Sequence, residues 1–285
     1  MHEKVGIYVN PAGHDGYRKR AIKLAREIPS TTLHELKFPL EEIPDDETIL
    51  IVVGGDGSVK GVTEAMLKRD NPGLLLIIPA GAQNGLYTGL KDERSTLTVE
   101  QVLDKATSHI PHFRPGNIEG ELFVHLADVT RSGVLQIQYA EAIRKYTPPR
   151  LRKLRGYAGV VAAFVKIQKG EDYPSYGMET LMPTPYIGSR KVYPKQQLYS
   201  DKLTLISVKA KNKGEGAVKM AILLLAIVAK AKPPKAVAEV KTQPSFEIET
   251  HSFDINADGE LRTLPKKGTI FVARDHRSLQ VAALV

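Results

Sequence analysis

Two short segments hold the residue types best suited to chemistry on a phosphate. Gly54-Gly55-Asp56-Gly57-Ser58 follows an apolar run, Thr48 to Val53, and precedes a helical pattern. Three glycines let backbone approach a ligand closely and allow positive φ. A helix that starts there offers N–H groups and the positive end of its dipole, a natural anion site. An Asp in that loop suits a divalent cation or an ordered water beside phosphates. Taken alone, the segment reads equally well as a tight strand-to-helix turn with Asp56 as a helix cap. It is neither GxxxxGK[ST] nor GxGxxG. The second segment, Asp258-Gly259-Glu260, lies within FDINADGELRTLP near the C-terminus. Two carboxylates flanking a glycine suit metal binding or a general base. Out of context the hairpin reading is the stronger, because Asp-Gly between strand-like stretches is a common hairpin sequence.

Two further turns belong with the first segment. Pro79-Ala80-Gly81-Ala82-Gln83-Asn84-Gly85 comes straight after the apolar run Gly73 to Ile78, and Asn10-Pro11-Ala12-Gly13 ends the run Val5 to Val9. Continuously apolar runs of this length read as strands covered on both faces, and turns at the carboxyl ends of neighbouring parallel strands line one crevice. Between them lie helical patterns, Arg18 to Glu27 and Val59 to Arg69, giving an α/β layered domain to about residue 110.

From Phe113 the texture changes. Short apolar pieces alternate with Gly, Pro and polar residues, as in Phe246 to Ile255 and Thr269 to Ala273, interrupted by helical patterns over Arg155 to Gln168 and Gly216 to Lys232. The expected division is 1–112 plus 275–285 against a β-rich 113–274.

Composition narrows the partners. Forty Lys and Arg against 32 Asp and Glu give a net charge of +8, which favours anionic partners (nucleotide, nucleic acid or acidic lipid headgroups) or equally serves solubility with no specific partner. No RNP-like or zinc-finger pattern is present, so nucleic acid is not an expected partner. With no cysteine, neither a disulfide framework nor a thiolate metal site can form. The N-terminus shows no leader-like stretch, and the ten-residue run Met220 to Ala229 is short of the ~20 residues needed to span a bilayer. The expectation is a cytoplasmic protein whose contact with any anionic membrane is peripheral. A basic cluster, Arg144, Lys145, Arg150, Arg152, Lys153 and Arg155, could dock on anionic headgroups or be a solvated face. Assembly as a homodimer is left open.

The order NPxxG, GGDG[ST], a P-x-G-x-x-N turn and a late DGE resembles the diacylglycerol kinase catalytic family, with its bacterial, archaeal and sphingosine kinase members. The resemblance implies a Rossmann-like nucleotide-binding α/β domain and a C-terminal β-sandwich. It also implies an ATP- and Mg²⁺-dependent transfer of phosphate to a lipid hydroxyl. By position, Asn10, Gly54, Gly55, Asp56, Gly57, Ser58, Lys60, Gly81 and Asn84 would contact ATP. Glu260 would accept the proton of the acceptor hydroxyl, with Asp56 and Asp258 arranging metal and phosphate. A structural Mg²⁺ would sit at Leu198-Tyr199-Ser200-Asp201-Lys202-Leu203, held by the Asp201 carboxylate and the carbonyls of Leu198 and Leu203. Five positions depart from the pattern: Lys60-Gly61 for the family's Asn-Glu, Ala82 for a Thr, Gly85 for a frequent Asp, and Lys202 for a Gly. Each lost hydrogen bond to a charged group costs about 1.5–3 kcal/mol. A kinase of a soluble hydroxyl compound, and a silent nucleotide- or lipid-binding homologue, are the competing readings.

Overall fold

The computed structural model describes residues 4–11, 15–40, 42–80, 84–104, 109–130, 134–135, 178–187, 190–191, 198–229, 231, 233–250 and 253–285. The helical pattern 155–168, the basic cluster 144–155 and the turn residue Gly81 lie outside them. The chain divides into two units, 1–115 with 275–285, and 116–274.

The first unit is built on β1 (Lys4–Val9), β2 (Thr31–Glu35), β3 (Glu47–Gly54), β4 (Leu74–Pro79), β5 (Thr96–Leu97), β6 (His112–Phe113) and β19 (Leu279–Leu284). They form one sheet in the order β2-β1-β3-β4-β19-β5, all parallel, with β6 pairing antiparallel to β19. Successive residues of a strand point to opposite faces, so a strand buried at every position must be covered on both. In β3, Ile49, Ile51 and Val53 share a core with Ala21, Leu24 and Ile28 from the first helix and its end. Leu50 and Val52 are buried on the other face. The helices are α1 (Asp15–Glu27), α2 (Asp56–Met66), α3 (Gly85–Asp92) and α4 (Val99–Leu103). The last strand of the chain lies between β4 and β5, with Val281, Ala282, Ala283 and Leu284 all buried. Full burial of one Val or Leu side chain contributes about 1.5–3 kcal/mol.

Helix α2 begins at Asp56, three residues before its expected start at Val59. Gly54 closes β3 and Gly55 is extended (φ −96°, ψ −174°), so one linking residue suffices. The glycine-rich segment is therefore less a loop than a strand end, a single joint and the first turn of a helix.

The second unit is antiparallel. One sheet has the order β14 (Glu239–Gln243), β13 (Leu203–Val208), β10 (Met178–Met182), β9 (Ala127–Asp128), β16 (Asp254–Ala257), β17 (Glu260–Thr263). The other runs β15 (Ser245–Thr250), β18 (Gly268–Arg274), β7 (Gly116–Ile118), β8 (Glu121–Phe123), and β11 (Tyr186–Ile187) pairs with β12 (Arg190–Lys191). Both larger sheets feed one core, in which Leu181, Leu203 and Ile255 meet Ile118, Phe123, Ile248, Ile270 and Val272. A second core joins Ile206 and Val208 to Met220, Leu223 and Ile227 of α5 (Lys213–Val228). Asn212 caps that helix by accepting the Glu215 N–H at 2.9 Å, which places its start three residues before the expected Gly216. Among the described residues, no helix is long and apolar enough to cross a membrane.

Candidate active site

The carboxyl ends of β1, β3 and β4 are adjacent because these strands are parallel neighbours, and the three turns are joined there by hydrogen bonds. Asn10, just past β1, donates its N–H to Val53 O at 3.1 Å and its Nδ2–H to Ser58 Oγ at 2.9 Å. Ala80, just past β4, donates to Gly54 O at 2.8 Å. A Cβ on Gly54 would run into the Ser58 side chain, so glycine is required where the strand passes under α2. Asn10, Gly54, Gly55, Asp56, Gly57, Ser58 and Asn84 thus belong to one region of the first unit. The first N–H groups of α2 have no carbonyl within the helix to bond, and Gly55 brings no side-chain cap to them. A helix start of this kind is where an anion can bind.

Asp56 is buried, and its carboxylate reaches across to the start of α3. Oδ2 accepts the Gly85 N–H at 3.0 Å, and the Leu86 N–H also bonds to the group. Asn84, the N-cap residue of α3, provides no side-chain cap, so a residue 29 positions before Gly85 does that work. Burial pushes the Asp56 carboxyl up to about 7, against the opposing pull of the two N–H bonds. Asp56 is therefore not the cap of the helix that follows it, where the N-cap is Gly55; it lies inside α2 and serves the start of α3 instead. Gly85, where the family often has Asp, presents the N–H that Asp56 holds.

Lys60, expected among the nucleotide contacts, is instead fully buried, its Nζ 3.5 Å from Glu64 Oε1 one turn along α2. In this conformation it offers no atom to a ligand arriving from solvent. Gly61 has a packing explanation: a Cβ there would collide with the ring of Phe38, which lies over it from the segment between β2 and β3. The position where the family carries a carboxylate is closed by an aromatic ring. Nothing in the sequence near Phe38 or Gly61 indicates that contact.

In the second unit, Asp258 and Gly259 form the two-residue turn of a hairpin. Ala257 pairs with Glu260, and the turn residues have φ 56° and 86°. Positive φ at both central positions is the type I′ geometry that favours Asp-Gly. The hairpin reading is thus correct for the backbone, and Asp258 does more than turn it. Its Oδ2 accepts the Val124 N–H at 2.7 Å, and its Oδ1 accepts those of His125 at 2.8 Å and Leu126 at 2.9 Å. The Asp258 N–H in turn donates to Leu126 O at 2.8 Å. Asp258 clasps the strand approach before β9; that leaves little capacity for also arranging a metal. Glu260 is half-buried at the first position of β17, and Arg262 donates to its Oε2 at 2.7 Å.

Two buried titratable groups beside this hairpin carry no sequence signature. His125 is held down to about 4 by burial, with Asp258 pulling the other way. Asp128 is pushed up to about 6 by burial, offset by bonds from Thr130 and Thr180.

Comparison with known proteins places the strand-end region. Residues 10–114 match the diacylglycerol kinase catalytic domain. No curated protein matches the chain by sequence. Three solved structures from Bacillus anthracis str. Sterne share the fold of this chain. All three are described as diacylglycerol kinases, two of them provisionally. The first is 17% identical, with a TM-score of 0.65, covering 98% of this chain and 95% of its own. The second is 16% identical with a TM-score of 0.64, covering 98% and 97%. The third is 16% identical with a TM-score of 0.63, covering 98% and 96%. The likeness spans both units, and the domain match holds the joined turns of β1, β3 and β4. The match supports a lipid kinase family and a phosphotransferase.

Proposed function

We propose that this chain transfers the γ-phosphate of ATP to the hydroxyl of a lipid acceptor, diacylglycerol-like or sphingoid. One observation carries the reading. Asn10, Ser58, Gly54 and Asp56 are joined at the ends of three neighbouring parallel strands, inside the segment that matches the kinase domain. On this reading the first unit is the Rossmann-like nucleotide domain, and the second is the β-sandwich that takes the acceptor. ATP with Mg²⁺ would be held by the α2 start, Asn10, Asp56 and the third turn through Gly81 and Asn84, and supplies the phosphoryl group and its charge neutralisation. The chain's own part is placement. The α2 N–H groups orient the phosphates, Ser58 fixes Asn10, and Asp56 couples the phosphate turn to α3. An alcohol has a pKa far above 7, so its attack gains from a base within hydrogen-bond reach. Glu260 is proposed as that base, with Arg262 orienting its carboxylate. Asp258 supports it by holding the hairpin. The acceptor is reached by peripheral contact with an anionic bilayer from the cytoplasmic side.

A second reading has its own support. Asp258 is engaged by three backbone N–H groups, Asp56 caps a helix, and Phe38 closes the Gly61 position. Such a site could bind nucleotide without turning it over. Incubating the pure protein with γ-labelled ATP and a total lipid extract separates the two. Glu260→Gln keeps the shape but cannot take the proton. It should cut lipid labelling roughly 10²–10⁴-fold and leave ATP binding, read by equilibrium dialysis, nearly unchanged. Labelling equal to the parent's removes Glu260 from the mechanism. ATP binding by the parent with no labelled lipid favours the silent reading, and label on a soluble alcohol favours a small-molecule kinase.

A further inference from the structure

The residues that the resemblance sets aside for a structural Mg²⁺ do not fit an ion in this chain. The Leu198 carbonyl, an expected ligand, accepts a hydrogen bond from Arg274 Nη2 at 3.2 Å. The same nitrogen donates to Pro183 O, and Arg274 Nε donates to Lys202 O at 3.3 Å. Three backbone carbonyls, from the end of β10 and from the 198–202 segment, therefore converge on one guanidinium at the end of β18. Backbone carbonyls gathered from separate segments are the oxygens a hard divalent ion would take. Here they meet a cation that is permanently charged, planar and carries five donors. A divalent ion sharing the Leu198 carbonyl would face that guanidinium at contact distance, and like charges so close repel strongly. Lys202 adds a second cationic side chain where the usual glycine would leave room. Asp201 is exposed, and Leu203 is already in register with Gln243 as the first pair of β13 and β14.

We propose that Arg274 is the resident cation of this site, in place of a divalent metal, and that the 116–274 unit folds without one. The covalently attached guanidinium ties β18 to the segment before β13 and to the end of β10. That is the cross-linking work a structural ion would do, and it does not depend on the supply of a metal. The inference concerns folding and stands whether or not the chain is a kinase.

Thermal unfolding of the nucleotide-free protein tests it. The midpoint is read in EDTA, in MgCl₂, and in KCl of matched ionic strength. The expected result is one midpoint in all three. Arg274→Met should lower that midpoint by several degrees, and Arg274→Lys should recover only part of the loss, because an ammonium cannot span three carbonyls in a plane. A saturable rise of the parent's midpoint with Mg²⁺, removed by Asp201→Ala, would overturn the proposal. So would an Arg274→Met protein as stable as the parent. Should Arg274→Met not fold, calorimetric titration of the parent with MgCl₂ decides alone. No saturable binding supports Arg274, and stoichiometric binding lost in Asp201→Ala refutes it.

Discussion

Replacing Asp56 by Asn should make the nucleotide-free protein more stable at pH 8 and no more stable near pH 4. Burial raises the carboxyl of Asp56 from 3.8 to about 7 even though Gly85 and Leu86 donate to it. The sign follows from proton counts. Below pH 4 both folded and unfolded chains hold this proton, and the group contributes nothing to the pH dependence. Between pH 4 and 7 the unfolded chain releases it while the folded chain keeps it, so stability falls as pH rises. Above 7 both are ionised and the loss is complete. A tenfold change in proton affinity corresponds to about 1.4 kcal/mol, so the rise from 3.8 to about 7 bounds the effect at about 4 kcal/mol. Asn is neutral throughout and keeps a carbonyl oxygen for the Gly85 N–H, so it escapes most of this cost. A gain of about 2–3 kcal/mol at pH 8 moves the unfolding midpoint of a unit this size by on the order of 5–10 °C. The assay is circular dichroism against temperature from pH 4 to 8, without nucleotide or divalent ions. Lipid labelling by the same variant should fall, which would mark Asp56 as a residue kept for function at the expense of stability. A variant less stable than the parent at pH 8, or a gap that does not change with pH, would refute the reasoning. The charge-assisted bonds to α3 would then outweigh desolvation.

Asp258→Ala removes an acceptor shared by three N–H groups and should destabilise the 116–274 unit by at least about 3 kcal/mol, read by urea unfolding. A loss below about 1 kcal/mol would mean that water replaces the carboxylate at no cost. Gly61→Ala should also destabilise, and Phe38→Ala in the same chain should restore part of the loss, since the ring is what a Cβ meets. Additive effects of the two substitutions would rule out that contact. Buried His125 is neutral in the fold and protonates only near 4, while in the unfolded chain it does so near 6.5. Its contribution to stability is complete above 6.5 and is lost as pH falls toward 4. His125→Gln should flatten that acid limb of the midpoint–pH curve, and an unchanged limb would assign it to other groups.

Apolar runs and glycine-bearing turns are legible in the sequence because their information is local. A strand buried on both faces must be apolar at every position, and Ile49 to Val53 and Leu74 to Ile78 announce themselves by composition alone. The Asp-Gly pair at 258–259 likewise announces a hairpin, because positive φ at both turn positions is a property of those residues. The start of α2 is less legible. Gly57 argues against helix by propensity, while Ser58, bonded to Asn10 from the end of β1, ties the first turn of the helix in place.

What each charged side chain does was decided by partners that sequence spacing does not reveal. Asp56 finds its N–H donor 29 residues away, Asp258 finds His125 at a separation of 133, and Arg274 finds the Leu198 carbonyl at 76. Sequence determined that these carboxylates and this guanidinium exist, and that some stand in turns where backbone donors and acceptors are exposed. Only the folded chain decided that Asp56 would serve α3, that Lys60 would be fully buried, and that Arg274 would gather carbonyls from two segments. The reason is physical. A buried polar group must take whichever partner the packing of distant segments brings within about 3 Å, and its own neighbours in the chain carry no record of that choice.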